Sequence, residues 1–297
     1  MKNFKQLAII SCLLACVLSI EGCSSNNVST IVPVKEAPKS LFLSTVSRNL
    51  HSIPSSSSPV ERRLLKEYGA LWTSQEPEIL LPKTVAFYTS EDTNKFQESL
   101  IAGSLFNGKC QLQKAAKNAL ENAVQEALEN NLLITPRGED SCMRDYAKTH
   151  ELWLSRVEPN LDFYFNEGKL TAEQVEKVKD ASTWKQVALV LELEKDQGLL
   201  FDKYRQTSIL NSVAAPGTSQ HLTGLAFDCK QYANKQIRNI LAKHGWYQTI
   251  ANDIPHFTFL GLNLQASDLE QRGLKEVVEG EYTFWVPDLE SLEDWTY

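Results

Sequence analysis

Two histidines and two aspartates stand at spacings that could build a metal centre. His221 and Asp228 lie in Ser219-Gln220-His221-Leu222-Thr223-Gly224-Leu225-Ala226-Phe227-Asp228, and Asp253-Ile254-Pro255-His256 follows one helix length later. Two imidazoles and one carboxylate suit a borderline cation such as zinc, and three protein ligands leave the fourth tetrahedral position open for water. An open position is what hydrolytic chemistry requires, so His221, Asp228 and His256 are the candidate ligands and Zn2+ the expected ion. Pro255 disfavours the helix on which a His-Glu-x-x-His site is built, which places the second motif on an extended segment or a turn. From an inward turn, Asp253 could take a proton from a water at the metal, making it the candidate general base. Singly, each residue has a plainer role: a core histidine bonded to backbone, or an aspartate capping a turn. The ordered set argues for the metal.

A guanidinium near such a centre would stabilise an oxyanion or a substrate carboxylate. Arg137, in Thr135-Pro136-Arg137-Gly138, is the candidate, with Arg144 and Arg205 as competitors. His51, His150 and His244 lack comparable context, although His244 suits a helix C-terminus, where the dipole favours a cation. Ser219 reads as orienting the His221 loop rather than as a nucleophile.

Ser219, His221, Gly224, Ala226 and Asp228 match the Ser-x-His-x-x-Gly-x-Ala-x-Asp signature of the VanY/VanX-like D-alanyl-D-alanine metallopeptidases, and Asp253-x-Pro-His256 resembles that family's second signature. The similarity of layout runs from about Cys110 to Gly261. It implies a zinc peptidase that trims or cuts the peptide stems of peptidoglycan, as a D,D-carboxypeptidase or an endopeptidase. It also implies an α+β fold of the hedgehog-like kind, with a small, largely antiparallel sheet flanked by helices. Relatives carry an arginine in a Ser-Gly-Tyr-Arg-like context, from which the surroundings of Arg137 depart. Aspartate rather than glutamate at position 253 lies nearer the L-alanyl-D-glutamate endopeptidase branch. The alternative is a non-catalytic peptidoglycan-binding lipoprotein that retains the fold. Asp253 separates the two, because a binding protein needs no carboxylate beside the metal's water. A metalloprotease of ordinary L-peptides is a third reading.

The elements that must position these residues follow from periodicity. Ala116, Leu120, Ala123, Val124, Ala127 and Leu128 recur at three and four, predicting an amphipathic helix over 111–130. Leu132-Leu133-Ile134 reads as a short strand broken by Pro136-Arg137-Gly138. Thr171-x-x-Gln174 and Thr183-x-x-Gln186 resemble capping boxes and predict a helical pair over about 171–195. Leu225-Ala226-Phe227 is a candidate buried strand with Asp228 at its end, and Phe257-Thr258-Phe259-Leu260 another. Between them Ile237, Ile240 and Leu241 share a helical face that Gly245 can terminate. Trp246 is expected in the core, and Tyr282–Val286 is an added strand of unassigned role.

The 297 residues, 42% hydrophobic, suffice for a large core, and the formal charge of -7 argues against nucleic acid as a partner. Lys2 and Lys5 precede the apolar run Leu7–Ile20, which reads as an export signal over residues 1–22. Ile20-Glu21-Gly22-Cys23 resembles a lipobox, making Cys23 the candidate lipid-bearing residue and the membrane a partner through that anchor. Residues 23–60 read as a Ser/Pro-rich flexible tether, and 61–297 as the peptidase domain with its motif-bearing core at about 110–262. Of the remaining cysteines, Cys110 and Cys142 could pair in an oxidising compartment, leaving Cys229 as a buried thiol.

Overall fold

The structure, a computed structural model, describes residues 40–289. Its helices are α1 (Leu41–Val46), α2 (Pro59–Tyr68), α3 (Ser90–Glu98), α4 (Lys114–Glu129), α5 (Tyr146–Asn166), α6 (Ala172–Lys179), α7 (Thr183–Gln197), α8 (Lys235–Lys243) and α9 (Ala266–Gln271). The strands are β1 (Ala102–Leu105), β2 (Cys110–Gln113), β3 (Ala226–Asp228), β4 (Trp246–Tyr247), β5 (His256–Phe259), β6 (Leu274–Glu279) and β7 (Tyr282–Pro287). They form a three-stranded sheet in the order β3-β5-β4 and two hairpins, β1-β2 and β6-β7, every pairing antiparallel. This is the mixed α+β architecture with small antiparallel sheets that the sequence predicts.

The apolar side chains collect in two clusters. One packs the β3-β5-β4 sheet against α4 and α8 through Leu112, Ala116, Leu120, Phe227, Trp246 and Phe259. The other lies within the α5–α7 helical section, around Trp153, Val157, Leu161, Val187, Val190 and Phe201. The predicted helix over 111–130 is α4, shortened because Cys110–Gln113 pairs as β2. Thr171 and Gln174 do form a capping box at α6. Thr183 does not cap α7: Ser182 takes that position, and Gln186 instead accepts a hydrogen bond from the Trp153 indole at 2.9 Å. Leu132–Ile134 is not a strand either, for that stretch meets the sheet only through an isolated bridge between Pro136 and Cys229.

α5 is the largest helix the sequence reading left out, and Pro159 sits inside it. The proline removes one backbone donor. Its neighbour Asn160 strengthens the region by donating from Nδ2 to the carbonyls of Arg156 (2.8 Å), Phe201 (3.0 Å) and Asp202 (3.1 Å).

The tether expected over 23–60 needs correction for its described part. Phe42 and Val46 of α1 and the following Leu50 are buried in the sheet-side cluster, so residues 41–50 belong to the folded unit that the sequence reading began at 61. An apolar helix that finds a core is ordered by burial whatever the serines around it suggest. The predicted leader 1–22 and Cys23 lie outside the described residues. Among the described residues no helix is long and apolar enough to cross a membrane.

Candidate metal centre

The register of β3 against β5 builds half of the site. Asp228 and His256 are direct cross-strand partners, so their side chains leave the same face of the sheet. His221 comes from the 3-10 turn Gln220–Thr223 that feeds β3. Gly224 closes that turn with φ +68°, where a Cβ would fall 2.7 Å from the Met143 methyl, so a side chain would be both strained and obstructed. Upstream, Gly217 permits the loop to press on Phe87, since a Cβ there would stand 1.8 Å from the Phe87 carbonyl oxygen.

Three donor atoms converge as a result. His221 Nε2, His256 Nδ1 and Asp228 Oδ1 lie 3.2 Å from one another along every edge of the triangle. Tetrahedral zinc bonds of about 2.05 Å put neighbouring donors about 3.3 Å apart, so the triangle has the size a zinc ion requires. Each member is held from behind. His221 Nδ1 donates to the Cys142 carbonyl at 2.7 Å, leaving Nε2 with its lone pair toward the centre. His256 Nε2 donates to Gln220 Oε1 at 2.8 Å, while Gln220 Nε2 donates to the Tyr68 carbonyl at 2.9 Å, which fixes the amide's orientation and leaves His256 Nδ1 free to coordinate. Asp228 presents Oδ1 to the histidines and receives Arg144 Nη2 on Oδ2 at 2.7 Å. Such outer partners set ring orientation and donor strength in metal sites.

Burial pushes the His221 imidazole down to about 4, a shift that the nearby Asp228 carboxylate only partly opposes. Burial works to raise Asp228, but the charge and hydrogen bonds of His221 and His256 hold it well below the usual carboxylate range. At neutral pH these two donors are therefore a neutral imidazole and a carboxylate, the forms that bind a metal. They belong to the group His221, Asp228 and His256 that could hold an ion.

The triangle opens on a cavity of about 380 Å³. Asp253 lines it, with a carboxyl raised above its ordinary value by burial and opposed chiefly by His256. Arg137 and Arg144 line it as well. Arg144 is engaged with Asp228 and with the Asp140 carbonyl (2.6 Å), whereas the Arg137 side chain makes no hydrogen bond or ion pair with a described residue. Arg205 is elsewhere, stacked on Phe163 at 4.1 Å. Tyr68 and Gln220 thus join the site without having been assigned to it from sequence, and Arg144, named there only as a competitor of Arg137, is the partner of Asp228. Gln220 could have been suspected from its place beside His221. Cys110 and Cys142 form a disulfide, and Cys229 is a buried free thiol pushed up to about 12 by burial, inert as a ligand. Trp246 is fully buried in the core, and His244 caps α8 while pairing with Glu126 at 2.8 Å.

Three inward donors on a cavity that Asp253 also lines fit the centre of a hydrolytic metalloenzyme, with His221, Asp228 and His256 placed to hold the ion. Comparison with known proteins makes the class specific: the model of the VanY family, D-alanyl-D-alanine carboxypeptidase, matches residues 109–271. The chain belongs to that family. Among solved structures, a vancomycin-resistance D,D-pentapeptidase VanY from a VanB-type resistance cassette, a mutant in complex with Zn(II), is 16% identical, with 56% of this chain and 82% of that one covered at a TM-score of 0.34. No curated protein matches the chain.

Proposed function

We propose that this chain is a zinc peptidase of the cell envelope that hydrolyses peptidoglycan stem peptides, with His221, Asp228 and His256 as ligands, Asp253 as general base and Arg137 as the cationic aid. The observation that carries this reading is the 3.2 Å triangle of donor lone pairs on the wall of the cavity that also holds Asp253. Zinc, when bound, would supply Lewis acidity, lowering the pKa of water toward about 7 and polarising a carbonyl.

The chain's own residues supply the rest. Asp253, in its partly desolvated position, accepts a proton from the attacking water and returns it to the leaving amine. Its raised proton affinity suits both halves of that task. Arg137 faces the cavity with unspent donors, available to a developing oxyanion or to the substrate's terminal carboxylate. Arg144, bonded to Asp228 Oδ2, leaves Oδ1 turned toward the histidines.

An envelope setting is supported by the disulfide, a bond that persists in oxidising compartments, and by the export-signal and lipobox patterns ending at Cys23. The decisive experiment measures zinc content and turnover of purified peptidoglycan and a D-Ala-D-Ala-ended pentapeptide. Stoichiometric zinc with cleavage that Asp253→Ala abolishes supports the reading, and product masses name the bond. Bound zinc with no cleavage of either substrate would leave a binding protein. Absence of metal under replete conditions would overturn the centre itself.

A further inference from the structure

The far wall of the cavity comes from α5 and the segment Leu210–Ala214, both belonging to the helical section that interrupts the chain between Arg144 and the His221 turn. α5 presents Thr149, Leu152 and Arg156 to the cavity, at spacings of three and four that put them on one helical face. Arg156 is held in place by Nε donating to Ser212 Oγ and Nη1 to Ser155 Oγ, each at 2.9 Å. Among the described residues no carboxylate pairs with it, and its Nη2 is uncommitted. Like Arg137, it lines the cavity without an acidic partner among the described residues.

The cavity's charges sharpen the point. Three arginines, 137, 144 and 156, stand against three aspartates, 140, 228 and 253, so a bound divalent cation would turn the lining net positive. Thr149 Oγ1 accepts from the Gly217 N–H at 3.3 Å, at the entry to the His221 loop, and from there to Arg156 α5 advances seven steps of 1.5 Å, about 10 Å. An extended peptide spans that length in about three residues.

Resting on the peptidase reading above, we propose that Arg156 is a specificity residue: it binds a second substrate carboxylate, two to three residues from the reacting carbonyl. The free α-carboxylate of a γ-linked D-glutamate in a stem pentapeptide is such a group. Ser212 and Ser155 fix the guanidinium so that its open edge meets the carboxylate, and the helical section becomes the part of the chain that reads substrate charge.

The test is calorimetric titration of the zinc-loaded full chain carrying Asp253→Asn, with L-Ala-γ-D-Glu-L-Lys-D-Ala-D-Ala and with the same peptide amidated at the glutamate α-carboxyl. The free acid should bind about tenfold more tightly, the size of one charge-assisted hydrogen-bonded contact at a partly open site. Arg156→Gln should erase that preference by weakening the acid alone, and Arg156→Lys should restore part of it. A merely structural role would weaken both peptides together. Equal binding of the two peptides, no binding of either, or a preference that survives Arg156→Gln overturns the proposal. Turnover by the unsubstituted chain is scored separately. Cleavage without the preference sinks this subsite alone, while the preference without cleavage leaves the subsite standing and removes the peptidase reading.

Discussion

Gln220 offers the sharpest test of how the centre is held. Its side chain is buried, its Oε1 accepts from His256 Nε2 at 2.8 Å, and its Nε2 donates to the Tyr68 carbonyl at 2.9 Å. Gln220→Leu keeps the volume and removes these bonds together with the one Oε1 accepts from the Thr258 hydroxyl, a group that still reaches Thr249 Oγ1 at 2.6 Å. The orphaned His256 N–H costs about 1–3 kcal/mol and the lost bond to Tyr68 about 1 kcal/mol, so metal-free stability should fall by about 2–4 kcal/mol. Loss of an outer-shell partner weakens metal affinity about 10- to 100-fold. At a free zinc concentration of 100 times the wild-type Kd, wild type gains about 2.7 kcal/mol from binding, and a variant bound about 30-fold more weakly gains only about 0.9 kcal/mol. Denaturant titrations with chelator and with buffered zinc would measure both quantities. Gln220→Glu divides them: it keeps the acceptor for His256, so zinc affinity should recover, but it opposes the Tyr68 carbonyl with an oxygen, so stability should not. If Gln220→Leu binds zinc within threefold of wild type, the amide does not set the orientation of His256 and the reasoning fails.

Asp253→Asn should reduce kcat by about 10²- to 10⁴-fold with zinc still stoichiometric by metal analysis; loss of the metal along with activity would instead mark Asp253 as a ligand. Burial raises the Asp253 pKa, so the native state binds its proton more tightly than the unfolded chain and stability falls as pH rises from the ordinary aspartate value through the raised one. The metal-free Asp253→Asn variant should therefore be the more stable protein at pH 7 by urea titration, and the difference should vanish at pH values below the ordinary aspartate range. Replacing both Cys110 and Cys142 by serine opens a loop with a sequence separation of 32, and a denaturant midpoint should report a loss of about 4 kcal/mol by the chain-entropy relation. Arg144→Met leaves the Asp228 carboxylate without its cation. With both side chains 14% exposed, metal-free stability should drop by about 3 kcal/mol, and a drop below about 1 kcal/mol would show that solvent already screens the pair.

The donors themselves were legible because their spacing is local: His221 and Asp228 are seven residues apart, on a turn and the strand it feeds. That Asp228 and His256 face each other depends on a hairpin-like register between β3 and β5, which two short apolar runs around a helix suggest without fixing. The role of Arg144 was hidden because its partner lies 84 residues away and only folding brings them together. α5 escaped for a different reason. Pro159 reads as a break, and the hydrogen bonds of Asn160 that reinforce the helix around it are tertiary. Among the serines of 40–60, Phe42 and Val46 gave too short an apolar pattern to announce a helix, yet the core they enter is decisive. Leu132–Ile134 shows the converse, a β-prone run with no neighbouring strand to receive it.

Both histidines of the proposed ligand set are steered, directly or through one amide, by main-chain oxygens: Cys142 behind His221, and Tyr68 behind Gln220. A peptide carbonyl is the same whatever side chain its residue carries. Mutation can drift at such positions without touching the oxygen that does the steering, so long as the chain follows the same path. What such a position must supply is therefore a path of the main chain rather than a particular side chain. Tyr68 lies outside residues 109–271 that the family model matches, so a fragment cut to that span would carry all three proposed ligands and lack the prop behind one of them.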